Sequence, residues 1–276
     1  MHHGTATMKT KLSHKKKMIR SKPKISVVIP ALNEEANLRE RVPDIYGVLK
    51  EDVEVIIADG KSVDGTAALA KKFSLEYPNF IFFTQSGKGF ANALLEGIAR
   101  ARGDVIVTMD AENHMPSEIP LLITALKETG SDIVVGSRFL AESNVDLQKE
   151  RFISTRIGNR IAKAMLRLDV KDCSSGFRAY RAQTVKSVIS GVRTQYFSIQ
   201  VELLERIKYD AKGKLSEVGV HYMRRISGKS KFKVKPAIQD ATRLIGLAQK
   251  DRVNEIKDKT RRIKERFRRK KKKQGT

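Results

Sequence analysis

In this 276-residue chain an apolar run ends abruptly in two acids and a histidine: Val105-Ile106-Val107-Thr108-Met109-Asp110-Ala111-Glu112-Asn113-His114. The β-branched part reads as a buried strand, and acids at the carboxyl end of such a strand lie where open α/β sheets bind ligands. Asp110 and Glu112 offer hard oxygens that suit Mg²⁺ or Mn²⁺ together with an anionic ligand. The same residues equally suit a strand-to-helix turn in which Asp110 or Asn113 caps a helix beginning near Pro116. Cationic side chains recur further along. Arg138 follows an apolar strand, Arg178 follows a Ser-Ser-Gly turn, and Arg225, Ser230 and Lys231 lie in a polar, glycine-containing loop. Together they can cradle two phosphates. Lys88 opens a helix and suits either a phosphate contact or a solvated first turn, while Asp64 and Gly65 suit a helix cap and a tight turn. No Ser-His-Asp set stands out. Asp172 and Glu202 are the acids to consider as a general base toward a hydroxyl acceptor, and both read better as members of structural ion pairs.

Elements that could position these groups alternate along the chain. Lys24 to Pro30 reads as a short buried strand, and Asn33-Glu34-Glu35 opens a helix running to about Leu49. A second strand spans Val53 to Ala58, closed by Asp59-Gly60, with a helix from near Asp64. Phe80 to Thr84 is a third strand, Lys88 to Arg102 a helix, Asp104 to Met109 a fourth strand and Ile133 to Val135 another. Repeated strand-helix units of this length imply a mostly parallel sheet with right-handed crossovers, a single Rossmann-like α/β domain. A late strand, Lys214 to Arg224, is expected at one side and antiparallel. Arg151 to Leu168 places Ile153, Ile157, Ile161, Met165 and Leu168 at helical spacing amid Arg156, Arg160, Lys163 and Arg167, which makes a basic amphipathic helix. Such a helix suits the interface of an anionic membrane or, with its apolar stripe turned inward, the domain itself.

Composition excludes several classes. One cysteine, Cys173, rules out an intramolecular disulfide framework and fits a reducing compartment. No apolar run reaches the roughly 18 residues that span a bilayer, and the amino terminus lacks a signal peptide's apolar core, so a cytoplasmic, soluble or surface-bound protein is expected. The net charge of +24 lies mostly at the ends: Lys9 to Lys24 carries no acid, and only Glu265 interrupts the cationic run from Arg261 to Lys273. Residues 1–22 and 235–276 therefore read as a basic tail and a basic helical extension flanking a domain at 23–234. Such tails suit an anionic membrane surface, nucleic acid, or solvation alone. Nucleic acid is the least favoured partner, because it leaves the ordered motifs between the tails unexplained.

Six of those motifs, in order, carry a resemblance. Val-Ile-Pro-Ala-Leu-Asn-Glu-Glu, Asp59-Gly60-Lys61-Ser62-Val63-Asp64-Gly65-Thr66 and Asp110-Ala111-Glu112 resemble the family 2 inverting glycosyltransferases of GT-A fold. Gly136-Ser137-Arg138, Ser175-Gly176-Phe177-Arg178-Ala179-Tyr180 and Arg225-Ile226-Ser227-Gly228-Lys229-Ser230-Lys231 resemble the dolichyl-phosphate mannose and glucose synthases within it. The resemblance covers roughly Lys24 to Lys233. It implies transfer of a hexose from a nucleotide diphosphate sugar to a polyprenyl or dolichyl phosphate, with transfer to a carbohydrate hydroxyl as the alternative. By the resemblance Asp59 meets the nucleotide base, Pro30, Asn33 and Glu34 line its pocket, and Asp110, Glu112 and His114 hold Mg²⁺ or Mn²⁺. Glu112 stands where the family usually has Asp, and His114 where it often has Gln; an imidazole would favour Mn²⁺. The helix carrying Arg151 is placed by the resemblance against the bilayer, near the lipid phosphate. The choice between GDP-mannose and UDP-glucose, and the oligomeric state, stay open at the level of sequence.

Overall fold

Successive strand residues point to opposite faces, and here both faces are apolar, as a sheet covered by helices on both sides requires. A computed structural model of the chain describes residues 22–223 except 195 and 197, together with residue 246. The parallel strands β1 (Ile25–Ala31), β2 (Val53–Asp59), β3 (Phe80–Thr84) and β4 (Val105–Thr108) alternate with helices α1 (Glu35–Leu49), α2 (Thr66–Glu76) and α3 (Gly89–Arg100). Helix α4 (Ile119–Glu128) leads to β5 (Ile133–Ser137) and the short β6 (Asn144–Val145), followed by α5 (Lys149–Leu166) and β7 (Arg178–Arg181). Helices α6 (Ala182–Val188) and α7 (Ile199–Tyr209) precede β8 (Leu215–Gly219) and β9 (His221–Tyr222).

Val27, Ile29, Val55, Ile57 and Val107 join one core with Leu38 and Ile45 of α1, Phe73 of α2 and Leu122 of α4. The intervening Val28, Ile56 and Ile106, with Ile133 and Val135, join the other with Leu94 and Ile98 of α3, Val185 of α6 and Leu203 of α7. Each such side chain taken wholly from water contributes about 1.5 to 3 kcal/mol. At one crossing the helix must approach closely: a Cβ on Gly97 would stand 2.4 Å from Cγ1 of Val28, so only glycine lets α3 lie this near β1.

The seven-stranded sheet has the order β3-β2-β1-β4-β7-β5-β8. After β3 the chain crosses back to the far side of β1, which opens a crevice at the carboxyl ends of β1 and β4, the place where such sheets bind ligands. The structure corrects the expected direction of the late strand. The late strand β8 does take an edge, but it runs parallel to β5, and the reversed strand is β7, antiparallel to both β4 and β5. α5 and the segment after it return the chain to the carboxyl edge, so β7 runs back from there. The α6–α7 hairpin then restarts β8 from the opposite edge. The tail at 1–21, nearly all of the 235–276 extension, and the Arg225–Lys231 loop lie outside the described residues. No helix among the described residues is long and apolar enough to cross a membrane.

Candidate active site

Parallel strands deliver their carboxyl ends to one edge, and the reversed β7 brings its lead-in to the same edge. Thr108 pairs with Arg178, its hydroxyl donates to the Gly176 carbonyl at 2.8 Å, and the Gly136 N–H donates to Phe177 O at 2.8 Å. Segment 173–177 is thereby held beside the two residues that follow β4. A Cβ on Gly176 would lie 3.3 Å from Oδ1 of Asp110 and 3.4 Å from Nε2 of Gln200, so the missing side chain leaves room against the carboxylate.

Asp110 and Glu112 are both half-buried, with Glu112 Oε1 accepting from Asn113 Nδ2 at 3.1 Å. Tyr222 of β9 stands among them. Burial first, then the nearby charges of Asp110 and Glu112, push its phenol above the ordinary value against the pull of Arg138 and Arg151. One phenol thus senses two acids and two arginines that lie far apart in sequence. The two carboxylates fit a cation of the Mg²⁺ or Mn²⁺ kind, which commonly takes one or two carboxylates from a protein and completes its shell with substrate phosphates and water. Among the described residues no group of three His, Cys, Asp or Glu side chains comes together as a metal cage.

His114 does not fit the role of third ligand. Its ring is 1 % exposed, stacked on Phe177 with centroids 4.8 Å apart, and its Nδ1 accepts the Asp110 backbone N–H at 3.0 Å. That acceptor role puts the ring proton on Nε2, leaving no free lone pair for a metal. Burial, then the charge of Arg138, pushes the imidazole down to about 3. The histidine fixes the turn that presents Asp110.

The arginines divide. Arg138 follows β5 into the site and is nearly buried, its Nε and Nη2 gripping the two oxygens of Asp172 at 2.7 and 2.8 Å, with Nη2 also donating to Ser174 Oγ at 2.7 Å. Its guanidinium lies 5.3 Å from the centre of the Tyr222 ring. Desolvation opposes ionisation of Asp172, yet Arg138 holds that carboxyl below its usual range. Arg178 is withdrawn from solvent altogether. It donates to Ser175 O at 2.7 Å, Gln200 O at 2.6 Å and Cys173 O at 2.8 Å. The expectation of a phosphate contact from Arg178 is therefore corrected: with 0 % exposure and three carbonyls to satisfy, it pegs segment 173–176 to the start of α7.

At the other end of the edge Asp59 is 3 % exposed. Its oxygens accept from Lys61 N at 3.0 Å, Ser62 N at 3.2 Å and Ser62 Oγ at 2.5 Å, so it shapes its own loop. Asn33, with φ of 53°, bridges to that loop through Ser62 Oγ and Val63 N. Glu34 N donates to Thr66 Oγ1, and Asp64 accepts from Thr66 N and Glu35 N. Pro30 is half-buried at the end of β1, and Lys88 is exposed at the start of α3. Arg151 is exposed on the first turn of α5. Arg225, Ser230 and Lys231 lie outside the described residues. Glu202 is bound by Arg206 Nε at 2.9 Å and by the Arg193 and Thr194 N–H groups. Sequence reasoning overlooked Tyr222 and Gln200. For Gln200 the available signal was a polar residue inside the apolar rhythm of Ile199-Gln200-Val201-Glu202-Leu203-Leu204.

The sequence profile described as glycosyl transferase family 2 matches residues 26–189. A dolichol-phosphate mannosyltransferase of Pyrococcus furiosus is 37 % identical over 220 residues, 77 % of this chain and 60 % of that protein, so the chain spans about three fifths of that relative. A polyprenol monophosphomannose synthase of Mycolicibacterium smegmatis is 29 % identical over 68 % of this chain and 73 % of its own length. Among solved structures, glucosyl-3-phosphoglycerate synthase of Mycobacterium tuberculosis with phosphoglyceric acid superimposes with a TM-score of 0.64 at 21 % identity, covering 81 % of this chain and 80 % of that one. The same enzyme with Mn²⁺, UDP and phosphoglyceric acid gives 0.60 at 20 % identity, covering 81 % and 76 %. At that identity the likeness speaks for the GT-A fold. The profile match over more than half of the chain, on a site of this geometry, makes the chain a member of glycosyl transferase family 2 and a glycosyltransferase.

Proposed function

We propose that this glycosyltransferase moves a hexose, with inversion, from a nucleotide diphosphate sugar to a polyprenyl or dolichyl phosphate at the cytoplasmic surface of a membrane. The observation that carries the reading is the outer face of α5. Ile153, Ile157, Ile161 and Met165 are 56, 53, 53 and 38 % exposed at four-residue spacing, flanked by Arg156, Arg160 and Lys163. The inner face of the helix is tied to the site: Asn159 Nδ2 donates to Ser174 Oγ at 2.9 Å, Asn159 Oδ1 accepts the Ser174 N–H at 3.0 Å, and Ser174 in turn holds Arg138. A helix lying in the headgroup layer by its apolar stripe would bring a lipid phosphate to this edge of the sheet.

The acids of the site suit the same acceptor. Asp172 and Glu202 are buried in ion pairs and offer no free general base. A phosphate monoester needs none, because near pH 7 its oxygen is already ionised. That oxygen attacks the anomeric carbon as the bond to the diphosphate breaks, and the nucleoside diphosphate leaves with the bonding pair. Asp110 and Glu112 would hold Mg²⁺ or Mn²⁺, which neutralises charge building on the diphosphate. Asp59, Asn33, Glu34 and Pro30 would line the nucleotide end, with Lys88 beyond them. Arg138, Arg151 and, in the loop at 225–231, Arg225, Ser230 and Lys231 would orient the acceptor phosphate. The deciding experiment supplies radiolabelled GDP-mannose, UDP-glucose and related donors with polyprenyl phosphate and vesicles, and follows label into the organic phase. Metal-dependent transfer from one donor is the expected result. Label moving only to free oligosaccharide would overturn the acceptor assignment.

A further inference from the structure

The amide of Gln200 is 1 % exposed, and neither its Nε2 nor its Oε1 has a hydrogen-bond partner, an expensive arrangement for a buried polar group. Its backbone is firmly held, since Gln200 O accepts from Arg178 Nη1 at 2.6 Å, so the position of the side chain on the first turn of α7 is built rather than incidental. The amide nitrogen lies 3.4 Å from the point where a Gly176 Cβ would be, and Oδ1 of Asp110 lies 3.3 Å from that same point. A glycine thus separates a carboxylate that suits the diphosphate's cation from an unspent amide.

We infer that Gln200 is the residue that hydrogen-bonds the hydroxyls of the transferred sugar, an assignment that rests on the nucleotide-sugar reading above. The chemistry of the orphaned pair selects the ligand class. A phosphate could accept from Nε2 but would leave Oε1 unpaired and face it with like charge. A pair of sugar hydroxyls donates and accepts, and so satisfies both ends of the amide. The sugar follows the diphosphate in the donor, so a diphosphate oriented by Asp110 places its hexose within reach of this wall. With the amide 1 % exposed, the wall must open slightly for a sugar to reach it and make these hydrogen bonds.

Calorimetric titration of the full-length protein with Mn²⁺ tests this, using GDP, GDP-mannose, UDP and UDP-glucose against the parent and Gln200→Met. Methionine keeps the shape and removes the unpaired amide, so its Tm should equal or exceed that of the parent. The expected outcome is a roughly tenfold loss of affinity for the nucleotide sugar, with the matching nucleoside diphosphate bound within about twofold of the parent. Monodeoxy donors supply a second reading on the parent alone: removing the partner hydroxyl should weaken binding roughly tenfold, and Gln200→Met should be blind to that removal. Equal loss for sugar and diphosphate, no loss for either, a lowered Tm, or indifference of the parent to every deoxy donor would overturn the assignment while leaving the transferase reading intact. A parent that binds none of the four nucleotides would overturn both.

Discussion

Arg178 and Asp110 lie at one edge of the sheet, yet substitution of each should fail differently. Removing the Arg178 guanidinium takes a charged donor away from three carbonyls of buried residues. Bonds to a charged donor are worth about 1.5 to 3 kcal/mol each, so Arg178→Ala should cost about 3 kcal/mol or more, roughly 6 to 12 °C in Tm. Lysine should rescue little, because one ammonium cannot span a fork of three acceptors. An Arg178→Ala variant that melts like the parent but loses affinity for phosphate would restore the discarded role. Asp110→Asn should do the reverse, keeping its Tm within a few degrees while transfer falls roughly a hundredfold, since cation stabilisation of a leaving group is worth several kcal/mol. Transfer that survives both this substitution and EDTA would remove the metal from the site. His114 supplies the third contrast. Its Nδ1 is occupied by the Asp110 N–H, so His114→Gln should lower stability and activity together and leave the ratio of Mn²⁺- to Mg²⁺-supported rates unchanged. A shifted ratio would return the imidazole to the metal.

Helices and loops carry their own pH dependence. Glu96 of α3 accepts from Ser86 N at 2.8 Å, Ser86 Oγ at 2.6 Å and Asn92 Nδ2 at 2.7 Å, and faces Arg100 at 3.1 Å. The Ser86 hydroxyl above all, aided by its N–H and by Asn92 and Arg100 against some burial, holds the carboxyl down to about 2 from an ordinary 4.5. The folded state therefore binds this proton less readily than the unfolded chain. Its contribution is complete above pH 4.5 and is lost as pH falls toward 2. Chemical denaturation across that window should show a slope that Glu96→Gln flattens; identical slopes would mean that the loop before α3 is not tied down by this carboxylate. At this scale the limits of sequence reading are visible. β1 to β4 and their helices were legible because each is a local pattern: two apolar faces for a strand, one for a helix. The reversal of β7 was not, because four residues of Arg-Ala-Tyr-Arg carry no direction, which is set by the α5 return and by pairing with β4 and β5. For the same reason Asp110 and Glu112 could be read from their position at a strand end. The fate of Arg178 depends on carbonyls of Cys173, Ser175 and Gln200, which only the tertiary register brings within its reach.

For the whole molecule the question is what a charge of +24 and an uncovered stripe on α5 accomplish together. Charge alone acts at a distance and is screened, whereas apolar burial acts at contact and is not. Each Lys or Arg near an anionic surface contributes about 1 kcal/mol, and sinking an isoleucine side chain into the acyl boundary contributes about 1.5 to 3 kcal/mol. The full-length protein should therefore sediment with anionic vesicles and release partially as salt rises, because the Debye length shrinks from about 10 Å at 0.1 M to about 3 Å at 1 M. Truncation before Arg261 should weaken the salt-sensitive part. Ile157→Asp, on a face 53 % exposed and outside both cores, should remove the salt-resistant part while leaving Tm and nucleotide-sugar binding as in the parent. The two losses should add, since the altered positions serve separate forces. Equal sedimentation with neutral and anionic vesicles would reject the electrostatic share, and an Ile157→Asp protein that still resists 1 M salt would show that α5 does not enter the bilayer surface. Preference for RNA or DNA over anionic lipid would assign the basic tails to nucleic acid instead.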